Sequence, residues 1–431
     1  MEPEQETDRG INSKIYYLQN VKLDRNINKP SDNQFGSVYA QIKKLQPMLP
    51  TYCIRPHILK QAAAFFLNNF LHHKHKTSIM YSVKSNPDAA VLQALFDSGI
   101  TNFDVASLGE IELINSLFGD RAKMFFMHPI KAPEVIKQAY FQYGIRHFSL
   151  DCNDELQKIL QATSNAKDLG LHLRLSIPNA HSAIDLSGKF GILPSESIAL
   201  LQKIRGIAKK CGICFHVGSQ CMDPVEYRNA IHIAKDVVKQ AKINLDVLDI
   251  GGGFPSIYPG MSPQSLNSYF HEIFDSLSDL PANCEIWCEP GRALVAESGS
   301  LVVRVEGRKN NMLYINDGTY GGLFDAGYPG FIYPAKAMRF NSAIALNSEL
   351  IDFGFYGPTC DSLDTMKGPF YLPKNIATGD YIEIGQLGAY SASIRTNFNG
   401  FQSFLQIQAD CDPLSSFYSQ NQQQQHRSST K

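Results

Sequence analysis

The sequence lacks an excess of either charge: Lys+Arg (40) nearly cancels Asp+Glu (41), leaving a formal net charge of -1. Nucleic acid and anionic lipid both select for a basic surface, so neither is expected as a partner. No apolar run approaches bilayer length, and no membrane span is expected. The segment from Met1 to Gly10 is acidic and polar. It lacks the basic flank and apolar core of an export signal, so a soluble cytoplasmic protein is expected. The 9 cysteines are an odd, scattered set, which argues for reduced thiols over a disulfide framework. Cys211 and Cys214 form a C-x-x-C followed by His216 and Cys221. The second cysteine lies inside an apolar strand and no second knuckle follows, so no metal is expected. HHKHK at 72–76 reads as a solvated helix end.

At 431 residues with 44% apolar content, two domains are expected. The middle of the chain alternates short apolar strands with amphipathic helices. Strand candidates begin near Ile79, Thr101, Lys123, Ile145, Leu171, Gly212, Leu245 and Glu285. Helix starts are marked by Ser107 with Glu110 as a capping box, by Asn153 as a cap, and by Pro133, Pro224 and Pro263. Such alternation fits either a closed parallel barrel or an open doubly wound sheet. Lys84, Asp104, His128, Asp151, Arg174, His216, Gly251 to Gly253 and Glu289 fall at the carboxyl ends of different strands. A barrel gathers those ends on one rim, whereas an open sheet spreads them along an edge. After about Leu294 come short β-branched and aromatic runs: SLVVRV, NMLYIND, AIALNS, IDFGFYG, DYIEIG and FLQIQ. The expected fold class is α/β plus all-β, a (β/α)8 TIM-like barrel over 45–293 with a C-terminal antiparallel β domain over 294–412. Residues 1–44 are assigned to the β domain, and the low-complexity tail 413–431 to disorder.

Several motifs carry chemistry, each with a plainer reading beside it. Lys84 in YSVKSN points into the rim, where a partly desolvated amine suits Schiff-base chemistry and a simple rim salt bridge is the alternative. LDIGGGFP offers three consecutive glycines, Gly251, Gly252 and Gly253, whose N–H groups can approach a phosphate, or which only make a tight turn. It is neither a dinucleotide fingerprint nor a Walker loop. CEPGR supplies Glu289, able to hold a proton on a heterocyclic nitrogen, and Arg292, suited to phosphate, unless the two pair with each other. FHVGSQ brings His216 and Ser219, a stacking face and a phosphate hydroxyl, or else a core histidine. GPTCDSLD sets Cys360 beside Asp361, a proton donor and an amine-binding carboxylate, or inert packing.

The ordered set YSVKSN, FDVAS, HVGSQ, DIGGGFP, EPGR, GPTCDSLD, GAYS and FNGF resembles the pyridoxal-phosphate-dependent fold-type III (group IV) decarboxylases of basic amino acids. This is the family of eukaryotic ornithine decarboxylase and diaminopimelate decarboxylase. The resemblance runs from about residue 50 to 410 and implies pyridoxal 5'-phosphate bound covalently to Lys84. It implies Glu289 at the pyridine nitrogen, His216 on the ring face, and Asp104 and Arg174 lining the pocket. The phosphate is expected against Ser219, Gly251 to Gly253, Gly291, Arg292 and Tyr390. The resemblance further implies that Cys360 returns a proton to the α-carbon and that Asp361 binds the distal amine of the substrate from the neighbouring subunit, which would make a homodimer obligatory. Tyr328 and Phe398 are expected as further substrate contacts. Lys189 and Asp364 match positions that join subunits.

The resemblance is closest to ornithine decarboxylase, which makes putrescine for polyamine biosynthesis, with lysine to cadaverine as a side or main activity. In animal enzymes a Tyr-Asp pair follows the DGVYG motif, whereas here Tyr328 is followed by Pro329 and the nearby Asp325 is displaced. That leaves distal-amine recognition resting mainly on Asp361. Alternatives are a diaminopimelate or arginine decarboxylase, or a non-catalytic paralogue like the antizyme inhibitors. Diaminopimelate enzymes carry Cys-Glu in place of Cys360-Asp361. Alanine racemase, which shares the barrel, has arginine in place of Glu289.

Overall fold

Short strands that are apolar on both faces must be covered on both, and a closed barrel ringed by helices does this. The structure, a computed structural model, describes residues 35–178, 182–184 and 188–416. Its parallel barrel strands are Thr77–Ser82, Asn102–Val105, Lys123–Phe126, His147–Leu150, Gly170–Arg174, Lys210–Cys214, Val247–Asp249 and Glu285–Cys288, each beside its neighbour in sequence. The first is closed onto the last, with Thr77 opposite Ile286.

Helix starts follow local chemistry. Ser107 Oγ accepts from the Glu110 N–H (3.3 Å) as expected of the cap, while the Glu110 carboxylate accepts from the N–H of Ala106 (2.7 Å), one residue before the cap, instead of from that of Ser107. Pro133 opens its helix, whereas Cys152, not Asn153, occupies the cap before Asn153–Ala162. Pro224 is itself a cap, and Pro263 precedes the true cap, Ser265.

Side-chain alternation divides the barrel's packing. Tyr81, Phe103, Phe126, Phe148, Leu171 and Ile213 join the outer core against the helices. Met80, Phe125, Met127, Cys214, Val247 and Trp287 fill the interior. Two imidazoles lie there as well, with His147 Nδ1 2.9 Å from His172 Nε2. Glycines make room for them: a Cβ on Gly170 would lie 2.2 Å from His147 Nδ1, and one on Gly212 2.2 Å from His172 Nδ1. The interior is therefore a plug, and chemistry is confined to the carboxyl rim.

The β domain is built on the long strand Gly299–Lys309, which pairs with Met312–Ile315 and Tyr381–Ile384. Ala335–Met338 flanks one side, and Leu350–Tyr356 with Thr365–Pro373 the other. The sheet is mixed, because Met312–Ile315 runs parallel to Leu350–Tyr356. Of the expected runs, AIALNS forms no strand and leaves Ile344 70% exposed. Ala335–Met338 and Thr365–Pro373 were not anticipated, since neither shows a long apolar alternation.

The boundary at residue 45 needs moving. Thr51–Ile54 belongs to the β sheet, antiparallel to Gly299–Lys309 and parallel to Leu405–Gln408. Helix Val38–Leu45 contributes Val38 and Ile42 to a cluster with Val302 and Tyr381 of that sheet. The assignments for residues 1–34 and 417–431 lie outside the described residues.

Where the two parts meet, Arg55 pairs with Glu383 at 2.6 Å, both buried. Asn86, just past the first barrel strand, donates to Tyr52 Oη (3.1 Å) and to the Gly388 carbonyl (2.8 Å). A Cβ on Gly388 would lie 1.6 Å from the Val295 carbonyl oxygen, so the backbones touch. This seam sits at the mouth of the first strand and fixes the β domain against the rim. Among the described residues no helix is long and apolar enough to cross a membrane.

Candidate active site

The first barrel strand ends in a tight turn, Val83–Ser85, with Lys84 at its centre. Strand register sets Ser82 opposite Asp104. Ser82 Oγ lies 3.0 Å from Asp104 Oδ2 and 3.2 Å from the Glu289 carbonyl oxygen, tying the first, second and last strands together. Lys84 Nζ is 3.6 Å from the same Asp104 oxygen, with a side chain 46% exposed. Desolvation at the pocket base, the largest influence, lowers the lysine pKa, but Asp104, Tyr390 and Glu289 outweigh it and hold the ammonium above its ordinary value.

Next to it on the rim, after the last strand, stands the buried Glu289. Burial, then the neighbouring Asp249 and Asp104, push its carboxyl pKa well above the usual range. Asp249 is also buried; its Oδ1 accepts from the Gly251 N–H (2.9 Å), and its carboxyl pairs with that of Glu289. Burial pushes it up to about 6. His216 Nδ1 accepts from the Gly218 N–H at 3.0 Å, which assigns the ring proton to Nε2. Burial, with Arg174 and Lys84 nearby, holds that ring neutral.

The glycine loop is shaped by its neighbours. A Cβ on Gly251 would lie 2.0 Å from the Phe215 carbonyl, on Gly252 2.6 Å from the Glu289 carbonyl, and on Gly253 2.5 Å from the Gly218 carbonyl. Gly251 and Gly253 also have φ of +68° and +104°, open to glycine at little cost. Gln220 zips the HVGSQ turn to this loop through bonds with the Ser256 N–H (3.0 Å) and carbonyl (2.6 Å). Gly291 approaches so closely that its Cβ would lie 2.0 Å from Ser85 Oγ. Arg292 is buried, donates from Nη1 to Tyr258 Oη (3.0 Å), and leaves Nε unpartnered.

The β domain adds Tyr390, whose N–H donates to the Ser85 carbonyl (2.9 Å) and whose ring lies 4.9 Å from the Arg292 guanidinium. Lys84, Asp104, His216, Gly251 to Gly253, Glu289, Gly291, Arg292 and Tyr390 are thus linked by contacts around one rim. Ser219 joins them through Arg292 Nη2 at 3.4 Å. Arg174 ends the fifth barrel strand, 5.9 Å from the Phe190 ring, which also meets Lys189 (5.0 Å) and His128 (5.1 Å). Asp151 accepts from the Gly191 N–H.

Cys360, Asp361, Tyr328 and Phe398 form no hydrogen bond or ion pair with that rim among the described residues. Cys360 is exposed, and its N–H donates to Asn399 Oδ1 (2.9 Å). Asp361 accepts from the Leu363 N–H (3.0 Å) and from Tyr320 Oη, which together hold its carboxylate below the usual range. The Tyr320 ring packs on Phe398 at 4.8 Å. Tyr328 is 89% exposed. Asp364 is buried and accepts from the N–H and hydroxyl groups of both Thr319 and Thr359, so its oxygens are satisfied within its own chain.

A family model described as pyridoxal-dependent decarboxylase, pyridoxal binding domain, matches residues 59–296. The chain belongs to the fold-type III pyridoxal-phosphate-dependent decarboxylases of basic amino acids. It is similar to the ornithine decarboxylase of Schizosaccharomyces pombe, 33% identical over 78% of each chain. It also resembles the lysine/ornithine decarboxylase of Selenomonas ruminantium, 31% identical over 76% of this chain and 82% of that one. Among solved structures, the lysine/ornithine decarboxylase of Vibrio vulnificus complexed with cadaverine superposes with a TM-score of 0.72 at 30% identity, covering 86% of this chain and 96% of that one.

The decarboxylase is therefore a carboxy-lyase that uses pyridoxal 5'-phosphate, and the rim fits that group. The buried Glu289 carboxyl, backed by Asp249, suits a heterocyclic N–H, a neutral His216 offers a flat face, and the orphan Arg292 Nε suits a phosphate oxygen. Sequence reasoning missed Ser82, Gln220, Tyr258, Tyr320 and Asp249. Ser82, Gln220 and Asp249 stand inside the motifs that carry the resemblance, whereas Tyr258 carried no local signal.

Proposed function

We propose that this decarboxylase converts L-ornithine to putrescine, and L-lysine to cadaverine as a competing reaction, as a cytoplasmic homodimer serving polyamine biosynthesis. The observation that carries this reading is the Asp361 carboxylate, ionised and held by Tyr320 beside the exposed Cys360. A fixed carboxylate suits a terminal ammonium and disfavours the second carboxylate of diaminopimelate.

Lys84 is the covalent anchor of the cofactor, with Asp104 and Arg174 lining its pocket. Glu289 holds the proton on the ring nitrogen, and His216 packs on the ring. Ser219, Gly251 to Gly253, Gly291, Arg292 and Tyr390 receive the phosphate. When bound, pyridoxal 5'-phosphate supplies the sink for the electron pair left as the α-carboxylate departs. The partner's Cys360 returns a proton to the substrate α-carbon, the partner's Asp361 binds the distal amine, and Phe398 and Tyr328 line the same approach. Separation of Cys360 and Asp361 from the rim contacts, with Leu363 75% exposed beside them, supports a face offered to a second subunit.

Ornithine and lysine differ by one methylene, which an apolar pocket discriminates by only about 10- to 200-fold. The test is carbon dioxide release by purified protein with added cofactor on ornithine, lysine, arginine and meso-diaminopimelate, with the amines identified. Turnover of ornithine or lysine is expected. Turnover of arginine or diaminopimelate alone would overturn the substrate assignment, and silence on all four with cofactor bound would point to a binding paralogue.

A further inference from the structure

Asp325 lies in the loop where animal ornithine decarboxylases carry their substrate-contacting pair, yet the structure turns it elsewhere. Its carboxylate is buried, and Oδ2 accepts from Arg292 Nη2 at 3.1 Å, with side-chain exposures of only 6% and 3%. The one-turn helix Phe324–Gly327 delivers it, and the Phe331 N–H closes the loop by donating to the Asp325 carbonyl (2.8 Å). The pair crosses from the β domain to the start of the short helix Arg292–Val295 that comes after the last barrel strand.

The guanidinium is fixed on several sides. Nη1 donates to Tyr258 Oη, Nη2 to Asp325 and, at 3.4 Å, to Ser219 Oγ, and the planar group sits 5.1 Å from the Phe331 ring and 4.9 Å from Tyr390. Only Nε is buried without a partner. A buried Arg–carboxylate pair is oriented as well as charged, because the fork of N–H donors is planar and rigid. With Nη1 and Nη2 committed, the remaining N–H directions are set, and the edge carrying Nε is the one left for an anion.

We infer that Asp325 is a positioning residue, which clamps Arg292 so that its free N–H edge faces the cofactor phosphate. This rests on the assignment of Arg292 to the phosphate site. Asp325 thereby serves cofactor retention, and no substrate amine is its partner. Its negative charge opposes the phosphate at longer range, so the orienting effect must exceed that repulsion for the carboxylate to help.

The test compares the Kd of pyridoxal 5'-phosphate with that of pyridoxal, which lacks the phosphate, from the absorbance change on titrating apoprotein. In Asp325→Asn the phosphate cofactor is expected to bind about 10-fold more weakly, a loss of about 1.4 kcal/mol, with pyridoxal unchanged. An equal loss for both ligands would mean general damage to the fold, and unchanged or tighter binding of the cofactor would mean a mere counter-charge. Either result overturns the inference. Asp325→Glu keeps the charge on a longer arm and is expected to lose selectivity for the phosphate by a smaller factor. It gives the same comparison if the asparagine variant does not fold. Arg292→Ala separates the two levels. If it leaves the selectivity intact, the phosphate assignment itself fails; if it abolishes selectivity while Asp325→Asn does not, only the role of Asp325 fails.

Discussion

Glu289 and Asp249 are buried neighbours whose carboxyl groups share a hydrogen bond when one of them is protonated. Burial raises both pKa values, and the neighbouring Asp249 and Asp104 raise that of Glu289 further. The native apoprotein therefore holds protons that the unfolded chain has released, and its stability falls as pH climbs above the ordinary carboxylate range through about 6.

Replacing Glu289 by glutamine removes one of these acids without changing shape. Urea unfolding of apoprotein between about pH 5 and about pH 8 should show a shallower loss of stability in Glu289→Gln than in the parent. Superimposed profiles would remove the strained pair from the account. Decarboxylation by the variant should drop by roughly two orders of magnitude or more, because a neutral amide does not keep the ring nitrogen protonated.

Lys84→Ala removes the amine that stands 3.6 Å from Asp104. Turnover should be abolished, and the visible absorbance of bound cofactor should be lost on dialysis. Undiminished carbon dioxide release would end the assignment of Lys84 as anchor.

Asp361→Ala should reduce kcat/KM by roughly two orders of magnitude, mostly through KM, since it unpairs a substrate ammonium. Mixing it with Lys84→Ala gives a sharper check. If the pocket and the Cys360 loop come from different subunits, random pairing should restore about one quarter of the parental rate. No restoration on mixing, with subunit exchange verified, would show that each chain completes its own site.

The imidazoles of the barrel interior make an acid-side prediction. His147 is lowered to about 4, first by burial, and His172 falls well below its usual value for the same reason. Their folded pKa values lie below the unfolded 6.5, so the stability they contribute is complete above that pH. It is lost as pH falls, at about 1.4 kcal/mol per pH unit for His147 down to about 4. His172→Val should flatten this loss in chemical denaturation, and an unchanged slope would place the acid sensitivity elsewhere.

Much of the rim was legible because a barrel converts strand ends into a ring. Each strand needed only to be placed within a residue or two for Lys84, Asp104, Arg174, His216 and Glu289 to fall at its mouth. The β domain was less legible. Thr51–Ile54 reads as four buried residues that fit a barrel strand equally well, and only its long-range partners assign it to the sheet. AIALNS looked like a strand but found no apolar surface to cover. Asp325 was visible as a displaced acid, but its partner lies across the domain seam, a contact no local pattern encodes. The pairing of Glu289 with Asp249 was equally hidden, since burial is a property of the assembled rim.

The parallel pairing of Thr51–Ile54 with Leu405–Gln408 bears on how the chain is made. Thr51 is opposite Leu405, so that strand leaves the ribosome long before its partner is synthesised. The barrel between them can assemble in the meantime from neighbouring strands, with short loops to close. Until residue 405 arrives, one edge of Thr51–Ile54 stays bare, a template on which another chain can add. Polypeptides stalled after the barrel but before that point are thus the species most in need of a chaperone.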